Sequence, residues 1–536
     1  MLISNGPGID RDAPLIAFVG LIDEDVEMLR FAARIAVSVC HSRSWRPHHM
    51  QDFPGSTWDI RAFPEAQIAG GISLALDWAG GCFTDAGEHL VRYNVTHKAL
   101  GRMRGIFLRY DYMWDCNQSH MIAMGRLLAL LVQLGNAGKP GHDGAQGWPR
   151  VMPDIDQFER DIYEMIDRYV QPDGSTHEGV NYWSNSFRAT LPVLAALARL
   201  RGKSLREMIP PKLDLMWNYV APMLSTAGEP GTCLTISDAV LQHLPWDPIA
   251  MAAASLPQPG WKRLLAAYLS GRTSLNALEY HLDGPFTVIF GPDKPEKPAV
   301  EVPVFQRLSN AGMITSNRPW PHSPTVGGDR GDDTVRLHLV GSMANAGHGH
   351  PDKGSFILEV CGEVFAGDRG VTPYEDPRCR TLAAEVAHNM AVPDGFFQIN
   401  PSPAAAIWQG AGDETQLRAE IDASGVWPTP VRVARRRIVS PQPDIIEITD
   451  EIELDEARAV TFYINTPLAI TVDGRTAYVQ GKRARMTVEA GWAVTATAGE
   501  YYCNSVYVPY NRLCLTSRTA RKHVLKTVLR LAPLPA

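Results

Sequence analysis

The stretch Gly291-Pro292-Asp293-Lys294-Pro295-Glu296-Lys297-Pro298 separates two different rhythms in the chain. Its prolines withhold backbone donors and its charges favour water, so it reads as a linker or a long exposed turn. Upstream, from Asp23 to about Leu275, apolar residues recur with a helical period. Val26, Leu29, Ala33 and Ala36 follow Asp23-Glu24-Asp25, an acidic start that suits the positive end of a helix. Met121, Met124, Leu128, Leu131 and Leu134 repeat the pattern up to Gly135-Asn136, and Leu191, Leu194, Ala198 and Arg201 repeat it up to Gly202. Loops rich in Gly and Asp, such as 141–144 and 171–174, separate these helices. Periodicity alone leaves a bundle, a solenoid and a toroid open.

Downstream of the break the period falls to two. Val335-Arg336-Leu337-His338-Leu339, Gln416 to Ile421 and Val431 to Arg435 alternate, and Ile445–Leu454, Thr461–Ile464, Thr471–Val479 and Met486–Ala496 continue in the same manner. Short segments rich in β-branched residues and bounded by Gly, Pro and Asp predict antiparallel sheets stacked as a sandwich. Helices first and strands second make an α+β chain of more than one domain. The expected boundary puts residues 1–285 in a helical domain and 286–536 in an antiparallel β-sandwich domain.

Composition narrows the classes of function. The 536 residues exceed the roughly 250–300 that one core supports. Hydrophobic residues at 45% and charged residues at 20% exclude disorder, collagen and coiled coil as the dominant state. A net charge of −7 argues against a dedicated nucleic-acid binder, so a polyanionic ligand must be met by a local cluster of donors. No run approaches the ~18–20 apolar residues of a membrane span, and the N-terminus lacks the regions of a signal peptide. The expected location is the cytoplasm, or the periplasm if a leader has been removed. The eight cysteines are scattered without a CxxC pair, which predicts free thiols.

Three polar clusters stand out. Asn345-Ala346-Gly347-His348-Gly349-His350-Pro351-Asp352 follows a predicted strand, with Asp368 and His388 downstream. Two imidazoles and a carboxylate suit a metal, and a hydrogen-bonded turn is the plainer alternative. Asp115-Cys116-Asn117-Gln118-Ser119-His120 opens a helix, where polar side chains either cap the backbone or hold a ligand carboxylate. Asp173-Gly174-Ser175-Thr176-His177-Glu178-Gly179-Val180-Asn181-Tyr182-Trp183 is a polar and aromatic turn, fit for packing or for a sugar-binding wall with an acid/base phenol.

Read in order, these clusters resemble the heparinase II/III-like polysaccharide lyases, which include heparin, chondroitin/hyaluronan and oligoalginate lyases. The resemblance rests on Asn117-x-x-His120, on Asp173-Gly174 with Glu178-Gly179 and Tyr182, and on His348-Gly349-His350-Pro351-Asp352-Lys353-Gly354-Ser355-Phe356. Gly362, Ala366-Gly367-Asp368-Arg369-Gly370, Tyr374 and Ala387-His388-Asn389 complete it. It implies an N-terminal (α/α) toroid followed by a β-sandwich, and β-elimination at the bond to O4 of a uronic acid. It further implies that Asn117 and His120 neutralise the uronate carboxylate, while Tyr182 and His348 serve as acid and base. Glu178, Trp183 and Tyr374 would contact the sugar. His350, Asp368 and His388 would hold a structural divalent metal, Zn²⁺ or alternatively Mn²⁺. The partner implied is an acidic polysaccharide or oligosaccharide, with no nucleic acid and no membrane. Asn117-x-x-His120 departs from the adjacent Asn-His pairing of the oligoalginate branch, which points toward glycosaminoglycan substrates. The rival readings are a glycoside hydrolase using Asp173 and Glu178, which needs two carboxylates across a cleft, and a non-catalytic glycan binder.

Overall fold

The computed structural model describes residues 9–45, 62–134, 151–228, 231–239, 244–271, 285–291, 302–323, 333–341, 348–370, 384–399, 407–493, 495–502 and 509–534. Residues 292–298 of the Pro-rich break, the stop at Gly135-Asn136, the loop 141–144 and Tyr374 lie outside the described residues.

The helical half follows its apolar rhythm. Asp25 caps the Val26–Cys40 helix by accepting hydrogen bonds from the N–H groups of Glu27 and Met28, which satisfies donors the helix itself cannot. Ala32, Ala33, Ala36 and Cys40 form its buried face. The Phe63–Trp78 and Asn117–Leu134 helices approach so closely that a Cβ on Gly125 would sit 2.1 Å from the Ala66 carbonyl oxygen. The Val151–Tyr169 helix is tied to the Asn117–Leu134 helix by a buried pair, Arg126 Nη1 to Asp161 Oδ2 at 2.7 Å. The Val180–Arg201 helix ends at Gly202 in the left-handed conformation. Helices continue to Pro285–Phe290, just past the expected boundary, and the first strand begins at Phe305. No helix among the described residues is long and apolar enough to cross a membrane.

The strands are β1 (Phe305–Leu308), β2 (Met313–Pro319), β3 (Thr334–Val340), β4 (Ser355–Val360), β5 (Glu363–Ala366) and β6 (Ala391–Pro393). They continue with β7 (Ile407–Gly412), β8 (Leu417–Asp422), β9 (Val431–Gln442), β10 (Ile445–Arg458), β11 (Val460–Thr466) and β12 (Ala469–Asp473). The last are β13 (Thr476–Gln480), β14 (Ala484–Glu489), β15 (Thr495–Tyr502), β16 (Pro509–Thr516) and β17 (Ala520–Pro533). They build three sheets, ordered β1-β2-β3-β4-β5, β12-β13-β14-β17-β10-β9-β8-β7 and β15-β16-β11-β6, and neighbouring strands within each pair antiparallel among the described residues. Two segments expected to be continuous prove each to be two strands joined by a turn. Thr471–Val479 folds back at Gly474, whose φ of 60° favours a residue without a Cβ, and Met486–Ala496 breaks after Glu489.

One hydrophobic cluster runs through both halves, from Trp183 and Trp261 to Phe356 and Phe462. Polar groups join them as well. Glu359 of β4 accepts from the N–H and hydroxyl of Thr226, each at 2.8 Å, and from the Ser225 hydroxyl. Arg336 of β3 donates to the Leu224 carbonyl. The six described cysteines are free, and Cys379 and Cys503 lie outside the described residues.

Candidate active site and metal centre

The site forms where the helical half meets the five-stranded sheet. Asn117 is the first residue of its helix, and its backbone N–H donates to Glu178 Oε2 at 2.8 Å. Glu178 thus supplies a carboxylate to a helix N-terminus, where such a charge is favoured. Burial pushes its carboxyl up, against the opposing pull of His348 and the Asn117 N–H. Gly179 follows at φ 88°, which lets the chain turn from Glu178 straight into the Val180–Arg201 helix. Tyr182 lies in the first turn of that helix.

From the sheet half comes His348. Its ring lies flat on Tyr182, with centroids 3.7 Å apart and planes 6° from parallel. Its Nδ1 meets Asp238 Oδ2 at 2.7 Å, while its Nε2 stands 3.7 Å from Glu178 Oε1, too far for a hydrogen bond. A partly exposed phenol and imidazole are therefore held face to face, with a buried carboxyl beside them that also grips the helix carrying Asn117. The Asn117 side chain is 4% exposed, and its Oδ1 is buried with no hydrogen-bond partner among the described residues.

Two expected residues have different surroundings. Trp183 is fully buried; its Nε1–H points at Met216 Sδ and its ring stacks on Trp261 at 5.7 Å. It is a core residue with no face for a sugar, because it lies one position on from Tyr182 and so points to another side of the helix. His120 is also fully buried, with Nδ1 2.8 Å from the Thr190 hydroxyl and its ring against Tyr169 and Phe187. Burial lowers its pKa to about 3, so it stays neutral between the helices beneath Asn117. Glu178, expected to touch the sugar, is 3% exposed and already engaged by Asn117. Tyr374 lies outside the described residues.

Of the two carboxylates that hydrolysis would need, Asp173 is committed to a turn. Asp173 Oδ1 accepts from the Ser175 N–H at 3.1 Å and its hydroxyl at 2.5 Å, and Oδ2 accepts from the Asn310 N–H at 3.1 Å. Asp173 therefore holds a turn and ties it to the β1–β2 connection. Of the three arginines that could line a groove, Arg102 pairs with Glu65 at 2.6 Å and Arg104 approaches Asp154 at 3.5 Å; the side chain of Arg109 is outside the described residues.

His350, Asp368 and His388 come together, all buried, with one ligand atom of each within 4.8 Å of the others. His388 Nδ1 meets Asp368 Oδ2 at 2.8 Å, and the Gly370 N–H donates to Asp368 Oδ1 at 2.9 Å. Burial would raise the Asp368 carboxyl, but His388, His350 and the Gly370 N–H outweigh it and hold the group below its usual range. His350 Nδ1 is buried with no hydrogen-bond partner among the described residues, as expected of a nitrogen reserved for a cation. Two imidazoles and an ionised carboxylate fit a divalent transition metal.

Asp238 was not legible in the sequence. It lies in the 231–239 segment of the helical half, 110 residues before His348, inside no motif. It meets His348 through Oδ2 and His350 Nε2 through Oδ1, the latter at 2.9 Å.

Residues 332–530 match the family model described as Heparinase II/III-like, C-terminal. No curated protein sequence matches the chain. Among solved structures, the fold is similar to a heparinase III, at a TM-score of 0.68 and 12% identity over 97% of this chain and 75% of that one. A heparinase III gene product is similar at a TM-score of 0.63 and 11% identity over 98% and 76% of the two chains. Heparan sulfate lyase HepC from Pedobacter heparinus is similar at a TM-score of 0.59 and 12% identity, over 97% and 75%. The helical half and the antiparallel sheets are accordingly the toroid and β-sandwich of heparinase III. The C-terminal part of the chain thus matches the heparinase II/III-like family model, the fold as a whole is similar to that of heparinase III, and the signature residue His348 is seated against Tyr182 of the helical half.

Proposed function

We propose that this protein cleaves a uronic-acid-containing glycosaminoglycan, such as heparan sulfate, hyaluronan or chondroitin, by β-elimination. The observation that carries the reading is the flat stack of Tyr182 on His348. It joins a phenol from the helical half to an imidazole from the sheet, and two such groups are what an elimination needs. One takes the C5 proton and one returns a proton to the departing O4. Tyr182 gives the proton to O4, and also removes the C5 proton when the two groups are syn. His348 removes it for the epimer that presents it from the opposite face. Asn117, at a helix N-terminus, supplies donors toward the uronate carboxylate, where negative charge develops as the proton leaves. His120 supports this site from within the core. Glu178 serves it by holding the Asn117 backbone.

His350, Asp368 and His388 would hold Zn²⁺ or Mn²⁺, whose part is to cross-link the loops behind His348. The proton transfers belong to Tyr182 and His348.

The test is the ultraviolet absorbance of the conjugated double bond in an unsaturated uronate, scanned over heparan sulfate, hyaluronan, chondroitin and alginate. Absorbance should rise on at least one glycosaminoglycan. Tyr182→Phe should slow that rise by roughly 10²- to 10⁴-fold, the usual worth of a positioned acid/base group. A rise on alginate alone would move the substrate to that branch. New reducing ends without absorbance would replace elimination by hydrolysis.

A further inference from the structure

We propose that Asp238 is a positioning residue shared by the acid/base site and the metal centre: one of its oxygens sets His348 for elimination while the other sets His350 for the metal. The His348 half rests on the lyase reading above; the His350 half stands on the geometry of the cluster alone.

The two contacts are hydrogen bonds of ordinary length, Oδ2 to His348 Nδ1 at 2.7 Å and Oδ1 to His350 Nε2 at 2.9 Å. An ionised carboxylate only accepts, so each imidazole must present an N–H to it. That requirement selects the tautomers. His348 carries its proton on Nδ1 and a lone pair on Nε2, the edge opposite Asp238. His350 carries its proton on Nε2 and a lone pair on Nδ1, the buried nitrogen with no hydrogen-bond partner among the described residues. One side chain thus aims a basic nitrogen at the site and a ligating nitrogen at the metal centre. The two contacts call for a carboxylate, because an amide has one acceptor oxygen and a hydroxyl oxygen cannot accept from two separate rings as two fixed oxygens do.

The backbone around Asp238 is fixed to match. Its own N–H donates to the His348 carbonyl at 3.1 Å, so main chain and side chain hold the same histidine. Ser237 sits at φ 63°, a conformation a serine keeps only where its surroundings enforce it. They do: the Thr235 hydroxyl donates to the Asp368 carbonyl, and Gly370 packs so closely on Ala239 that a Cβ there would lie 1.5 Å from its carbonyl oxygen. The segment from the helical half is clamped to the metal-bearing loop on both sides of Asp238.

Three measurements on the full chain test this, using Asp238→Asn, which keeps the size, and Asp238→Ala, which removes both acceptors; circular dichroism checks their folding. The first is Zn²⁺ affinity by competition with a chelator. Both variants should bind about 10- to 100-fold more weakly, as when a hydrogen-bond partner of a ligating histidine is lost. The second is kinetics at saturating Zn²⁺. Both should lose at least roughly 10²-fold in kcat with KM within about threefold, since an amide selects the wrong tautomer; the comparable change in a serine protease costs about 10⁴. The third needs no activity. In ¹⁵N-histidine-labelled protein, the downfield N–H signals assigned through His348→Ala and His350→Ala should both vanish in Asp238→Ala. Unchanged Zn²⁺ affinity, unchanged kcat, or persistence of either signal overturns the shared role. A wild type inactive on every glycan would defeat the lyase reading alone, and metal affinity and the two signals would still decide for or against Asp238.

Discussion

β3 and β10 are written in the same two-residue rhythm, yet they meet different surroundings. In β10, Ile446, Ile448, Ile452 and Leu454 point inward while Glu447 and Glu453 point outward to Lys526 and Lys522, at 2.8 and 3.0 Å. In β3 every residue is buried; Arg336 is 4% exposed and His338 not at all. The second face of β10 meets water, whereas that of β3 meets the helical half. Alternation therefore identifies a strand but not what lies on its polar side. The sheet with two covered faces is also the one whose loops carry the site, because the contacts that bury Arg336 and Glu359 dock the loop bearing His348 against the helix bearing Tyr182.

If that contrast is right, equivalent charge removals should cost very different amounts on the two sheets. The largest effect is expected at Glu359→Ala, which strands the Thr226 N–H and hydroxyl and leaves Arg336 uncompensated. Loss of one partner of a buried charged pair costs about 3–5 kcal/mol, readable as a fall in urea midpoint, with the proposed lyase activity falling alongside it. A midpoint shift no larger than that of a surface variant would break the comparison.

An intermediate effect is expected from pH. Burial, reinforced by Arg336, holds His338 well below the usual histidine range, and His120 is lowered by burial to about 3. Both stay neutral when folded and gain a proton when unfolded once the pH drops below about 6.5. The unfolded chain then binds more protons, so stability is full above that pH and declines below it, by up to about 1.4 kcal/mol per pH unit for each histidine. His338→Phe should flatten this acid slope by about one histidine's share. It should cost little at neutral pH, because both ring nitrogens of His338 are buried without hydrogen-bond partners among the described residues. An unchanged slope would exclude His338 as a source of the acid sensitivity.

The smallest effect belongs to the water-facing side of the large sheet. Arg437→Ala removes a half-exposed contact to Glu420 at 3.4 Å and should move stability by no more than about 0.5 kcal/mol. A loss of several kcal/mol would mean that this face, too, is covered by something.

Much of the architecture was legible because it is written locally. The helical period around Met121–Leu134, the alternation of β8 through β11 and the change of rhythm at Gly291 each depend on residues a few positions apart. The histidine and aspartate signature, read through its family resemblance, likewise named His350, Asp368 and His388 before their positions were known, and these three do cluster. Less legible was which polar or aromatic residue faces the cleft. Tyr182 and Trp183 are neighbours in the chain, and helix rotation sends one to the site and the other to the core. His120 resembles a substrate donor in the sequence and is a core imidazole in the fold.

By itself, then, the sequence determined the helical and β halves, the order of the strands along the chain and the residue types available for chemistry, since these follow from periodicity and local backbone preference. Tertiary structure alone decided that Asp238 would stand between His348 and His350, that Glu178 would grip Asn117, and that β3 would bury its polar face. Those contacts join segments about sixty to more than a hundred residues apart. Nothing in a local pattern encodes them, because they exist only once the two halves have packed and the polar groups between them have been taken out of water.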